Sequence, residues 1–316
     1  MKTIEDIRLY YESELRQKIR PLEDRRKLIL AALIILSVSL ITFILLPSIY
    51  LALSGPRMSA APLIAIIFCF LLITGAYGLL SYVYVPKFKK TLIQDIVAFF
   101  GPEFEYSPKY YMPLEYFKDS GIFPKVPDRY SGEDYISGTV GKTKIEFSEI
   151  HAEYKSETTN AKGRKEYSYY TLFKGIFISA DFNKNFTGRT LVLPDTAQRM
   201  FGGLLGTALQ SRNTSRGKLI KLEDPEFERY FVVYGDDQVQ ARYILTPGLM
   251  SRITEFRKKT GTNVFLSFVN NKVMLALPRS ENIFEPRLFR TLLDVRQVEG
   301  YYKQIELIAG IVEDLN

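Results

Sequence analysis

Two long apolar runs dominate the first third of the chain. Residues 28–53 read LILAALIILSVSLITFILLPSIYLAL and residues 61–85 read APLIAIIFCFLLITGAYGLLSYVYV, and neither contains a charge. About 20 apolar residues at ~1.5 Å rise cross a ~30 Å hydrocarbon layer. Each run is therefore long enough for a transmembrane helix. The runs are apolar on every face, whereas a core helix of a soluble protein keeps a polar side. A cleaved signal peptide does not fit either, because the first run starts late and a second follows it. Between them stands SGPRMSA, residues 54–60. Gly55 and Pro56 break the first helix there, and Pro47 can kink or end it earlier. The pattern predicts a transmembrane helical hairpin with spans at about 28–53 and 61–85. Without an ionisable residue, the spans offer no proton relay or ion ligand for a transporter.

The flanks set the orientation. Arg25, Arg26 and Lys27 precede the first span, Lys87, Lys89 and Lys90 follow the second, and only Arg57 lies between. The positive-inside rule puts both termini and everything after the hairpin in the cytoplasm. Residues 1–27 form an N-terminal helix in which Ile4, Ile7, Tyr11 and Leu15 share a face, Thr3 is the N-cap and Pro21 interrupts the pattern. The expected docking partner of that face is the chain's own soluble domain. Residues 86–104 contain a juxtamembrane helix with Leu92, Ile93, Ile96 and Phe99 as its apolar positions, ended by Gly101-Pro102.

From residue 105 to 316 the pattern becomes that of an α+β domain. A short helix in PLEYFKDSG closes at Gly121. DYISGTV and KTKIEFSEIHAEY flank Gly141-Lys142 as a type II′ hairpin. A bulge near Ser148-Glu149 would keep the apolar residues of the second strand on one face. SYYTLFKGIFISADF is apolar at both parities and reads as a central strand. TLVLPDTAQRMF reads as a strand entering a helix. YFVVY and ARYIL read as strands about Gly235-Asp236-Asp237. Thr246 caps a helix that has Pro247 at its first position and ends at Gly261. NVFLSFVNNKVMLALP is a hairpin with Asn270-Asn271 at its tip. FEPRLFRTLLDV and YYKQIELIAGIVEDL read as closing helices. GIFISADF with RTLVLPDTAQRM weakly echoes YFVVYGDD with ARYILTPGLMSRI, as two copies of a strand–strand–helix unit would. The fold expected is a two-helix transmembrane hairpin followed by a soluble domain with an antiparallel sheet and packed helices.

Composition narrows the chemistry. The net charge is +7, but the excess is dispersed and does not point to nucleic acid. With one cysteine, Cys69, and one histidine, His151, neither an intrachain disulfide nor a Cys/His zinc site can be assembled. GGLLGT lacks the Gly-Lys-Ser/Thr of a phosphate loop, and no EF-hand, zincin or nucleophile-elbow pattern is present. Glu223, Asp224, Glu226 and Glu228, with Asp236 and Asp237, are the carboxylates that could bind a hard cation or work as acid and base. Their ordinary role in turns is capping or solvation. No catalytic residue, cofactor or metal is assigned. Two basic loops remain. Lys155, Lys162, Arg164 and Lys165 lie in one; Arg212, Arg216, Lys218 and Lys221 lie in the other. Of these, Lys162, Arg164, Lys165, Arg212, Arg216 and Lys218 are the candidate contacts to anionic lipid.

SGIFPKVPDRYSGEDYISGTVGKTKIEFSEIHAE, FKGIFISADF, LEDPEFERYFVVYGDDQVQARYILTPGLM and NNKVMLALPRSENIFEP, together with the helix–span–span–domain order, resemble a bacterial domain-of-unknown-function family. The resemblance implies a two-span protein of the bacterial inner membrane with a C-terminal cytoplasmic α+β domain. Members are often encoded near LemA-type membrane proteins, which suggests such a protein as a partner. The family supplies no catalytic residues. The function expected is a membrane-anchored cytoplasmic binding or scaffold protein with a protein partner. The alternatives are a reader of anionic lipid headgroups and an enzyme with a carboxylate-based site. Self-association is left open, and no nucleic acid is expected.

Overall fold

The computed structural model describes residues 2–55, 60–159, 163–196 and 217–315. Two helices begin the chain. Helix α1 runs Ile4–Ser54 and α2 runs Ala61–Phe100, and both are long and apolar enough to cross a membrane. Large side chains along both stay uncovered, Phe43 at 77 % exposed and Phe70 at 64 %.

The elements that follow are β1 Glu105–Ser107, α3 Leu114–Asp119, β2 Arg129–Val140, β3 Thr143–Thr159, β4 Lys165–Asp181, β5 Thr190–Pro194 and β6 Lys218–Ile220. Then come α4 Pro225–Tyr230, β7 Phe231–Gly235, α5 Gln238–Ile244, α6 Pro247–Thr260, β8 Phe265–Val269, β9 Lys272–Pro278 and α7 Val295–Leu315. The chain divides into two compact units. One comprises the residues up to 99 together with 284–303, and the other comprises 100–283 with the residues from 304 onward.

In the first unit, Thr3 and Asp6 close a reciprocal capping box at the start of α1, which satisfies two of the amide donors a helix N-terminus leaves open. Ile7, Tyr11, Leu15 and Ile19 form its buried stripe. The stripe docks within the chain. Tyr10 stacks on Phe99 at 4.6 Å, Arg8 Nε donates to Glu299 at 2.6 Å, and the Tyr302 hydroxyl donates to the Lys2 carbonyl at 2.6 Å. Pro21 does not interrupt α1, contrary to expectation. Pro21 and Gln17, whose carbonyl loses its amide partner, are both exposed, so water satisfies that carbonyl. Pro47 does not end the helix either; a π-helical turn at Ile41–Leu45 precedes it, which relieves the clash of its ring with the preceding turn.

In the second unit, nine strands among the described residues form one antiparallel sheet in the order β1-β2-β3-β4-β9-β8-β5-β7-β6. On one of its faces Ile150, Phe173, Phe177 and Phe265 pack with Met112 and with Phe117 of α3 in one core. Gly141 has φ 61 and Lys142 a negative φ, as a II′ turn requires. Asn270 and Asn271 both take positive φ, the I′ pattern. The Thr246 side chain caps α6 and Gly261 ends it at φ 66.

Four expectations change. ARYIL is not a strand, because Asp237 accepts from the amides of Val239 and Gln240 and so nucleates α5. The internal echo fails with it, since a helix stands where the second strand of the unit was required. FEPRLFRTLLDV is a run of turns, its backbone held by side chains of α1. Finally, Ser148-Glu149 carries no bulge: β3 pairs residue for residue with β4 from Ile145 to Ala152, so Ile145 and Phe147 face away from Ile150 and Ala152, both pairs are buried, and the extra residue lies on β2. The register shifts between Glu133 and Ile136, where Asp134 has φ 60. The Asp134 and Tyr135 amides leave the ladder to donate to the carbonyls of Pro108 and Tyr110. The Tyr106 hydroxyl donates to Asp134 at 2.5 Å; burial, then the Asp134 carboxylate, push that phenol well above the usual tyrosine range.

Candidate functional site

Two features of the second unit carry exposed chemistry. The first is a cleft of about 240 Å³ on the sheet face opposite the core, lined among others by Ser131, Glu133, Glu149, His151, Lys174 and Arg279. Strand register builds it. Glu133 pairs with Glu149 and Ser131 with His151; His151 pairs with Lys174; the Arg279 amide donates to the Lys174 carbonyl at 2.9 Å. Directly opposed residues point to the same face, so an acidic row lies beside a row of Ser131, His151, Lys174 and Arg279. The acidic row is already occupied. Asn282 Nδ2 donates to Glu133 at 2.6 Å and the Ile283 amide donates to Glu149 at 2.5 Å. These two carboxylates tie down the chain leaving β9.

His151 does not form a relay. The Ser131 hydroxyl donates to the His151 carbonyl at 3.5 Å, not to the ring. His151 Nε2 is 3.3 Å from Thr171 Oγ1 and 3.8 Å from Glu153 Oε1. A nucleophile–base–orienter chain needs the two contacts on different ring nitrogens; here both fall on Nε2. The cleft is also smaller than the ~300–1,000 Å³ typical of ligand pockets.

The second feature is a two-stranded ribbon. β2 ends its pairing with β3 at Glu153, and β9 ends its pairing with β4 at Gly175. From Tyr154 to Thr159, β3 pairs with β4 between Tyr170 and Lys165. Six residues at ~3.3 Å each extend about 20 Å past the end of β2. The sequence reads the basic segment 155–165 as a loop and the chain from Ser168 as a central strand; instead β3 and β4 pair out to Thr159 and Lys165, and only the inner half of β4 is central. Its outer half, Lys165–Thr171, is exposed throughout. Tyr167 is 49 % exposed and Tyr170 50 %. Lys155 Nζ lies 3.6 Å from the Tyr167 ring centre and the Arg129 guanidinium 3.4 Å from that of Tyr169. On the opposite face Tyr154 stacks on Tyr170 at 5.6 Å. Alternation of tyrosine with small polar residues was the available signal, but aromatic residues at both parities masked it.

The lipid-contact candidates divide unevenly. Lys162, Arg212 and Arg216 lie outside the described residues, as does GGLLGT. Lys165 is paired with Glu157 at 2.6 Å near the ribbon tip, beside Arg164. Lys218 is exposed on β6, the ninth strand of the order in which β4 is fourth. The structure therefore does not bring Arg164 and Lys165 together with Lys218.

The acidic candidates are engaged locally. Asp224 caps α4, Asp237 caps α5, and Asp236 accepts from the Arg189 amide at 2.8 Å. Glu228 accepts from the Leu222 amide, Glu226 pairs with Lys258, and Glu223 lies 3.6 Å from Arg242. Each has the capping or pairing role expected of turn carboxylates.

A family model described as "Protein of unknown function (DUF3137)" matches residues 171–316. The match begins where the exposed half of β4 ends, and takes in β5 to β9 and α7. No curated protein and no solved structure matches the chain.

Proposed function

We propose that the chain is a membrane-anchored binding protein. In this reading residues 28–53 and 61–85 cross the bacterial inner membrane, both termini are cytoplasmic, and the domain from residue 105 recognises a protein partner. The observation that carries the reading is the β3–β4 ribbon. It exposes Tyr167, Tyr169 and Tyr170 on a two-stranded arm with cations stacked over two of the rings. Tyrosine and arginine are the residues most often found at energetically dominant contacts between proteins. The resemblance to a family encoded beside LemA-type proteins makes such a membrane protein the first partner to examine.

The test is photo-crosslinking from position 167 in native membranes, followed by purification in mild detergent. A discrete crosslinked protein, lost when Tyr167, Tyr169 and Tyr170 are all changed to Ser, is the expected result. An unchanged crosslinking pattern in that variant would remove the ribbon from the account.

The headgroup-reading alternative, through Arg164, Lys165 and Lys218, has weaker support. Lys165 already has a carboxylate partner, and an exposed cation counts only when it touches the headgroups.

A further inference from the structure

The segment between β9 and α7 crosses both long helices of the first unit and is tied to each. Lys89 Nζ lies 3.0 Å from the Glu285 carboxylate. Arg26 Nη1 donates to the Leu288 carbonyl at 2.6 Å. The Glu23 carboxylate accepts from the Thr291 hydroxyl and the Leu292 amide, both at 2.9 Å.

These ties set the level of the segment. The apolar run of α1 begins at Leu28 and that of α2 ends at Val85, and Glu23, Arg26 and Lys89 all stand within five residues of a run. Arg26 Nε and Nη2 also donate to Glu23, so the ties to Leu288 and Leu292 lie at one level. Residues 285–292 are therefore held beside the helices within about two turns of the apolar runs.

The middle of the segment has the composition of a lipid contact. Leu288 is buried, but Phe289 beside it is 82 % exposed. Arg287 and Arg290 flank it, both exposed, and neither forms an ion pair among the described residues. Exposed Arg25, Lys27, Lys87 and Lys90 stand on the helices at the same end. A bare phenylalanine between two unpaired arginines, held at the edge of an apolar band, is poorly suited to water. It suits the headgroup boundary, where apolar rings insert and cations meet phosphate.

We propose that Arg287–Arg290 is a membrane contact additional to the spans. Phe289 enters the cytoplasmic leaflet at headgroup depth, and Arg287 and Arg290 hold anionic lipid phosphates on either side. The proposal rests on the membrane-anchored reading, and it makes the seating of the 285–292 strap sensitive to lipid composition.

The test uses the full chain with Cys69→Ala, reconstituted into vesicles containing phosphatidylglycerol. Single cysteines at Phe289, Phe43 or Leu9 carry an environment-sensitive fluorophore, and nitroxide-bearing lipids quench at shallow or deep positions. The shallow nitroxide should quench the probe at 289 strongly, and the deep one the probe at 43. Neither should quench the probe at exposed Leu9, which stands about 28 Å along α1 from Leu28. Arg287→Glu with Arg290→Glu should reduce quenching at 289 by roughly half or more in these vesicles. If 43 is quenched but 289 behaves like 9, or if charge reversal leaves 289 unchanged, this contact is overturned and the spans stand. If 43 is unquenched, the membrane reading itself fails.

Discussion

Glu23 Oε1 and Arg26 Nη2 lie 2.7 Å apart, one turn from each other on α1, and both side chains are almost wholly buried. A buried ion pair is stable only when its remaining hydrogen-bonding groups are also satisfied. Here they are, because Glu23 takes Thr291 and Leu292 and Arg26 takes Leu288. Two charges at the end of an apolar run thus hold a segment more than 260 residues away in sequence.

Removing one partner leaves the other charge buried and alone. Glu23→Gln should cost about 3–5 kcal/mol in the attachment of the strap. Limited trypsin digestion of the detergent-solubilised chain should show much faster cleavage at Arg287 and Arg290. Glu23→Gln combined with Arg26→Met should recover part of the loss.

The same pair sets an acid limit. Burial alone would raise the Glu23 carboxyl, but bonds from Arg26, the Leu292 amide and Thr291 outweigh it and bring the group from 4.5 down to about 2. Its folded value lies below its unfolded one, so its contribution is fully present above about pH 4.5 and fades as the pH falls toward 2. Tryptic sites do not report at such pH; pepsin cleavage of the strap does. Over that window cleavage should rise in the native chain and change little in Glu23→Gln.

Gly175 stands beside the cleft in β4 at φ 151, and a Cβ there would lie 2.2 Å from the Leu277 carbonyl oxygen. Gly175→Ala should therefore destabilise the second unit by about 3 kcal/mol. Gly248 has open space at its Cβ and lies in α6, so Gly248→Ala should be neutral or stabilising. Thermal unfolding of both variants checks the pair.

The ribbon residues should separate stability from recognition. Exposed cation–π contacts are worth ~0.5–1 kcal/mol. Arg129→Ala should lower the unfolding midpoint only slightly while weakening the crosslink from position 167. A large loss of stability would make Arg129 structural and leave its stacking on Tyr169 without a role in recognition.

Local rules made much of the fold legible. Thr246-Pro247 with Gly261 bounds α6 because cap, proline and left-handed glycine each satisfy or terminate helix backbone within a few residues. Asn270-Asn271 marks its hairpin for the same reason. The failures came from competing signals or distant partners. In ARYIL, β-favouring side chains competed with the Asp237 cap, and the cap prevailed. FEPRLFRTLLDV has helical spacing, yet its backbone is held by Glu23 and Arg26, which no local window contains. The exposed half of β4 carries three aromatic residues to the two of its buried half; where β2 and β9 stop is what distinguishes them. The placement of the strap at the helix ends was hidden by the same long-range ties.

The anchored, inward-facing domain is the central claim, and cysteine accessibility in intact cells tests it most directly. In a Cys69→Ala background, Gly55→Cys lies in the turn between the spans, and Val239→Cys lies in the second unit at a position 75 % exposed. A membrane-impermeant maleimide should label Gly55→Cys in intact cells and label Val239→Cys only after permeabilisation. Labelling of Val239→Cys from outside, with Gly55→Cys protected, would contradict the account.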